Sequence, residues 1–405
     1  MMRDTLLLLL ALPLGAQQQL TLRDAITQAV SGHPALLAGA ARIDAAQGLR
    51  LQASLSPNPR LYIQTENLGP GSNNTPLSFN RDIEQFVYGS RVFETAGKRA
   101  RRMDVASAGI RTSELEREAL ALQIATRVAG AYWNAAGAER VRNLLERSLE
   151  TYERIVQYHQ DRVREGAAAE ADLIRVQLEH DRVSLAAANA AVEASRARLT
   201  LFREMGMPAD SGALLTEALE VLPAFEPSDT AVAVANRPEV RLGRQAVEEA
   251  RARVRLQRSS AVPDPEILFG YKRTAGLNTV LGGVQIALPF GNRNQGQIAA
   301  AEAELRAAQA ATVAAENSAR ADIEIAAREW RALQAQISGP FRSLRERAEE
   351  TARIAQAAYR EGGADLLRLL DAERTRLEVE ILYSQSLAAF QRSVVNLRAA
   401  LGMMP

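Results

Sequence analysis

Two stretches of the chain place apolar or small residues at alternating spacings of three and four. In the first, Leu115, Ala119, Leu122, Thr126, Ala129, Trp133 and Ala136 obey this rule, which is the heptad seam of a helix packed lengthwise on other helices. No proline interrupts residues 97–165, and Gly339-Pro340 alone interrupts residues 292–361. The spacing therefore predicts one very long helix over each range, the second kinked at Gly339-Pro340. At 1.5 Å per residue each would span about 100 Å, several times the width of a globular domain of this size. Each ends in a glycine turn, "REGAAAEADLI" or "REGGADLLRLL", and a return helix is expected over 169–206 and 365–402.

Elsewhere the period changes to two. "RLYIQTENL" alternates Leu61, Ile63 and Thr65 with Tyr62, Gln64 and Glu66, and "TVLGGVQIALPF" puts Val280, Val284, Ile286, Leu288 and Phe290 on one side. That alternation predicts strands with one apolar and one milder face. Hairpins are expected over 59–94, turning through "GPGSNNTPLSFN", and over 265–290, turning through "RTAGLN". Before each hairpin a Pro-rich break, "SPNPR" or "VPDPE", ends a short helix, expected at Ala35 to Leu55 and at Glu239 to Gln257. Four strands per chain leave two open edges. In lipid those edges would have to be closed by further copies, with Gln64, Glu66, Lys272 and Gln285 turned to a water-filled lumen; in water the same strands could form a half-buried sheet.

The two series of elements are copies of one order. Pro34 matches Pro238, Pro59 matches Pro265, Gly97 and Arg99 match Gly291 and Arg293, Trp133 matches Trp330, Arg164-Glu165-Gly166 matches Arg360-Glu361-Gly362, and "MGMP" matches "LGMMP". A near-constant separation of about 200 residues is the mark of an internal duplication. The organisation expected is a leader over 1–16, a first repeat over 17–208, a connector over 209–236 and a second repeat over 237–405. In each repeat the short and return helices, stacked end to end, have the combined length to flank the long one as an antiparallel partner.

Composition narrows the chemistry. "MMRDTLLLLLALPLGAQQQ" has the short charged head, apolar run and small residues of a secretory signal, with cleavage expected after Ala16. Its apolar run is too short to span a bilayer as an anchor, and a membrane portion of the mature chain would have to be β. The 405 residues carry 49 Lys plus Arg against 48 Asp plus Glu, which gives no global pull on nucleic acid. With no cysteine, disulfides, thiolate metal sites, cysteine nucleophiles and a lipidated N-terminal cysteine are excluded. His33, His159 and His180 form no closely spaced pair, and neither a nucleophile elbow nor a phosphate loop is present. No enzyme, cofactor or bound metal is expected. Arg99, Arg101 and Arg102 could meet lipid phosphates or simply be solvated, and Trp133 and Trp330 fall on the seam as packing residues.

The duplication, the order short helix, Pro-break, hairpin and long helix, the glycine turns followed by "DLI" and "DLL", and the closing "LGMMP" resemble the outer membrane efflux proteins of the TolC type. The resemblance covers essentially the whole mature chain. It implies a mainly α fold with a β-barrel part: a trimer in which each protomer gives four strands to a twelve-stranded outer membrane barrel and long antiparallel helices to a periplasmic α-barrel. "SPNPRLYIQTENLG" and "ETAGKRARR" are similar to the cobalt-zinc-cadmium or copper-silver branch. This implies a passive exit duct for heavy-metal cations, partnered by a periplasmic adaptor and a proton-driven inner membrane transporter of the RND class.

The same resemblance places the glycine turns at periplasmic tips, where Arg164, Glu165, Gly166, Arg360, Glu361 and Gly362 are candidate adaptor contacts; each glycine also reads as an ordinary helix C-cap. Asp172, Asp365 and Asp371 would form rings of carboxylates under threefold symmetry, candidates for a pore gate and cation selectivity. For Asp172 and Asp365 the other reading is an acid at a helix N-terminus. The competing function is a soluble periplasmic coiled-coil adaptor or structural scaffold whose strands never meet lipid.

Overall fold

The computed structural model describes residues 19–68, 83–221 and 229–405. The expected leader and the turn of the first hairpin lie outside the described residues. The elements run β1 (Gln19–Leu20), α1 (Leu22–Gly32), α2 (Pro34–Ser54), β2 (Arg60–Glu66), β3 (Glu84–Val92), α3 (Lys98–Arg164), α4 (Glu170–Glu204) and β4 (Leu214–Leu215). They continue with α5 (Thr230–Asn236), α6 (Pro238–Ser260), β5 (Glu266–Thr274), β6 (Leu277–Gln285), α7 (Gln295–Gln336), a π-helical turn (Ile337–Phe341), α8 (Arg342–Arg360) and α9 (Leu366–Ala400). The chain divides into two compact units, one of Met1–Leu37, Ala119–Arg237 and Ala319–Pro405, the other of Ala38–Glu118 and Pro238–Ser318.

The first unit is helical. Leu145 and Tyr152 of α3, Val176, Val183 and Ala187 of α4, and Leu366 and Leu370 of α9 form one buried cluster. Burial there pushes the Tyr152 phenol up to about 12. Trp133 and Trp330 are both buried. At Gly339-Pro340 the chain forms the π-helical turn instead of ending the helix. A wider turn relieves the clash between a proline ring and the carbonyl four residues back, and Ser343 Oγ donates to Pro340 O at 3.1 Å.

The connector is fastened to the long helices by side chains rather than by a sheet. β1 and β4 form a parallel bridge of two residue pairs. Buried Tyr132 donates its hydroxyl to Leu20 O at 2.9 Å and accepts from Thr216 N and Glu217 N, each at 3.2 Å. Gln391 Nε2 donates to Leu219 O and Val221 O. Arg198 forks onto Asp210 at 2.8 and 2.9 Å and also reaches Glu139 and Ala213 O.

Duplication reaches the level of single hydrogen bonds. After α3, Gly166 N bonds Val163 O and Ala167 N bonds Arg162 O; after α8, Gly362 N bonds Tyr359 O and Gly363 N bonds Ala358 O. After α4 the pairs are Gly206 N to Arg203 O and Met207 N to Phe202 O, and after α9 Gly402 N to Ala399 O and Met403 N to Arg398 O. All four are Schellman turns, and all four glycines have φ between 72° and 77°.

In the second unit, the first part of α3 and of α7 pack with α2 and α6. Thr112 Oγ1 donates to Glu249 at 3.0 Å, Gln245 Nε2 to Ala108 O at 3.0 Å, and Arg244 pairs with Glu316. Arg102, one of the three clustered arginines, is held by Glu94 and Leu55 O, and Arg101 pairs with Asp104. The four long strands make one antiparallel sheet in the order β2-β3-β5-β6. The second hairpin is shorter than its expected span: β6 stops at Gln285, because its one neighbour, β5, begins with Glu266 opposite that residue. Ile286, Leu288 and Phe290 stay extended and exposed beyond it.

Candidate channel sheet and helix tips

Register decides which side chains share a face. Leu61 aligns with Gly89, Phe269 and Gly282, and Ile63 with Val87, Tyr271 and Val280. With Ile267 and Val284, whose row also holds Arg91, these form a largely apolar face, and its apolar members are exposed, Ile63 by 73% and Val280 by 76%. Keeping one such side chain in water forgoes about 1.5–3 kcal/mol, so eight together amount to on the order of 10 kcal/mol or more. A face of this size marks contact with an apolar phase or partner.

The opposite face carries Gln64, Glu66, Lys272 and Gln285 together with Arg60, Glu84, Ser90, Glu266 and Thr279. Tyr62 and Tyr88, paired in register, stack with centroids 4.8 Å apart, and Lys272 Nζ stands 4.9 Å over the Phe86 ring. The base of the sheet is tied down by Asp264 of the second Pro-break. It accepts from Thr95 N at 2.7 Å and pairs with Lys98 Nζ at 2.7 Å, at the start of α3. Strands β2 and β6 lie at the two edges of the sheet.

The candidate tip residues sit on the paired Schellman turns. Arg164, Glu165, Gly166, Arg360, Glu361 and Gly362 are all exposed. Arg164 pairs with Asp161 at 3.1 Å within its own helix, and Arg162 closes the first turn by donating to Ala167 O at 2.8 Å. Asp365 is the N-cap of α9, accepting from Arg368 N at 2.9 Å. Asp172 lies half-buried in the first turn of α4, whose cap, Ala169, offers no side-chain bond. Asp371 is exposed on α9. Asp172 and Asp365 thus belong to two helix starts, Asp365 occupied as a cap, while Asp371 lies beyond the first turn of α9.

The histidines are dispersed. His33 accepts from Ala35 N, His180 contacts the adjacent Asp181, and His159 is buried against Tyr359. Among the described residues no three His, Asp or Glu converge as a metal site, and no helix is long and apolar enough to cross a membrane. The role of Tyr132, Gln391 and Arg198 in holding the connector escaped the sequence, where each reads as one more seam or surface residue.

The family of outer membrane efflux proteins matches over residues 25–207 and 231–403, one match for each half of the duplication. The chain belongs to that family. The cobalt-zinc-cadmium resistance protein CzcC of Cupriavidus metallidurans is 26% identical over 396 residues, covering 96% of this efflux protein and 92% of CzcC. A membrane protein from Pseudomonas aeruginosa superimposes with a TM-score of 0.80 at 20% identity, covering 94% of this chain and 90% of that one. CusC, described in terms of transmembrane channel formation, gives 0.79 at 17% identity, covering 94% and 92%. The efflux protein is therefore an outer membrane channel with a TolC-like fold and no enzymatic role. Membership also sets aside the soluble adaptor or scaffold.

Proposed function

We propose that this efflux protein is the passive exit duct of a tripartite pump and conducts heavy-metal cations from the periplasm to the exterior. The carrying observation is the four-stranded sheet, largely apolar on one face, with all its carboxylates on the other, and open along β2 and β6. Unpaired edges are prohibitively costly in hydrocarbon. A head-to-tail contact of β6 on one copy with β2 on the next closes into a ring, and three copies give twelve strands. The heptad stripe Leu178, Leu185, Val192 and Leu199, exposed along α4, supports a matching contact between the helices of neighbouring copies. The polar sheet face then lines the water-filled lumen.

The two glycine turns form the periplasmic tips. Their exposed Arg164, Glu165, Arg360 and Glu361 meet the periplasmic adaptor, which joins the duct to a proton-driven RND transporter of the inner membrane. Repeated three times, Asp172, Asp365 and Asp371 concentrate cations near the entrance. Heavy-metal substrates are supported by the likeness to CzcC, a cobalt-zinc-cadmium resistance protein.

The test is conductance of the purified mature protein in planar bilayers, with its mass in detergent measured on the same sample. Discrete steps from a trimer, with cation selectivity reduced by Asp371→Asn, are expected; a monomer that never inserts would refute the duct. For the substrate, deletion strains are challenged with zinc, cobalt, cadmium and copper beside organic toxicants. Unchanged metal tolerance with lost tolerance to the organic compounds would remove the metal assignment and leave the duct.

A further inference from the structure

His159 is 1% exposed, two turns before Gly166 on α3. Its Nε2 lies 2.9 Å from the hydroxyl of Tyr359, which sits one turn before Gly362 on α8. The two rings are 6.0 Å apart and 30° from parallel, and Tyr158 meets the imidazole edge-on at 5.6 Å. Nδ1 is buried with no hydrogen-bond partner. This one side-chain pair joins the tip of the first repeat to the tip of the second.

The surroundings tolerate only one protonation state. Neutral imidazole meets Tyr359 through Nε2 and leaves Nδ1 as a single unmet group. An imidazolium would carry a second N–H into the same place, where no acceptor stands. The charged groups acting on it are Arg162 from its own helix, which opposes protonation, and Asp172 from α4, which favours it less strongly. Tyr359 comes from α8, and α9 contributes the apolar Leu366 and Leu370 to the cluster on which Tyr359 packs. Burial, then Arg162, holds the imidazole below its ordinary value, with Asp172 opposing.

We infer that the His159–Tyr359 pair is a proton-sensitive latch between the two tip turns, closed while His159 is neutral and released when the ring is protonated and must reach water. The sign follows from linkage. A histidine whose pKa is lowered in the packed state stabilises that state above the ordinary imidazole value of about 6.5, and the stabilisation is lost as pH falls toward the lowered value. The latch rests on the duct reading for its consequence: tips freed from one another in acid widen the entrance, so that periplasmic acidification raises conduction.

Two readouts separate the latch from the duct. In the cysteine-free chain, Ala355→Cys places a thiol at a buried position one turn before Tyr359, and Ala167→Cys places an exposed reference on the first turn. The rate of modification of Cys at 355 relative to 167 by a methanethiosulfonate reagent is measured in the detergent-solubilised protein between about pH 5 and about pH 8. A severalfold rise in acid is expected, abolished by His159→Gln, which keeps a hydrogen-bonding side chain that cannot protonate. Tyr359→Phe is expected to raise the ratio already at neutral pH. A ratio that is flat with pH, or a rise that survives His159→Gln, overturns the latch whatever the bilayer shows. Open probability of single channels over the same range reads the consequence: steps that are insensitive to pH beside a pH-dependent thiol ratio overturn the gating role, and absence of steps at every pH overturns the duct alone.

Discussion

Gly206, at the end of α4, is packed so closely on Pro34, at the start of α2, that a Cβ on the glycine would stand 2.9 Å from the proline Cδ. Its counterpart in the second repeat, Gly402, would place a Cβ 3.3 Å from Asn236 O, two residues before Pro238. The glycine that ends each return helix is therefore closed in by the chain that leads into the short helix of the same repeat. Gly206→Ala forces a left-handed φ of 77° on a residue with a Cβ and also creates that clash, at an expected cost of about 2–4 kcal/mol. Gly97→Ala, with φ 68° but nothing within 4 Å, should cost about 1 kcal/mol. Denaturant midpoints that rank the two in the opposite order would refute the abutment.

Tyr132→Phe removes one hydroxyl that serves three backbone groups of the connector. The ring still fills its place, so the loss should be confined to those bonds, about 1–3 kcal/mol. Hydrogen exchange should accelerate at Thr216 and Glu217 while the amides of α4 keep their protection. Uniform loss across both would mean that Tyr132 acts through general packing.

Arg198 and Asp210 give the connector a pH dependence. The forked guanidinium holds the Asp210 carboxyl below its ordinary range, with burial opposing and Gly212 N assisting. A carboxylate lowered in the folded state stabilises above its unfolded value of about 3.9, and that contribution is lost as pH falls through the folded value. Wild-type stability should therefore drop as pH falls below about 4 more steeply than that of Asp210→Asn. Arg198→Lys, which cannot fork, should lose about 1–3 kcal/mol at neutral pH.

Gly137 of α3 faces Ala388 of α9 so that a Cβ on the glycine would stand 2.6 Å from that of the alanine. Gly137→Ala should destabilise despite the better helix propensity of alanine, and adding Ala388→Gly should restore the space. Their coupling is expected at about 1–3 kcal/mol in favour of the double variant. Additive costs in a double-mutant cycle would refute direct contact.

Much of this architecture was legible because long elements carry redundant signals. The seam from Leu115 to Ala136 repeats often enough to mark a helix, and alternation at Leu61, Ile63 and Thr65 separates the two faces of the sheet before any register is known. Short elements carry no such redundancy. α1 is announced by one capping pair, Thr21 with Asp24, and α5 by Asp229 alone; the β1–β4 bridge exists because Tyr132 gathers both strands. Ile286 to Phe290 has the strand pattern, yet a strand is a relation between two chain segments, and β5 ends its pairing at Glu266 opposite Gln285. His159 was counted as one of three scattered histidines, since the ring that receives it is 200 residues away.

The open edges of the sheet also bear on how the protein is made. Before assembly, each protomer exposes the backbone of β2 and β6 beside an apolar face, the same combination that drives cross-β polymerisation of unprotected sheets. On the duct reading proposed above, the protomer runs a race between closing a ring with two sisters and joining an endless ribbon. On the same reading a membrane surface favours the ring, because lipid takes up the apolar face as the last edge is sealed.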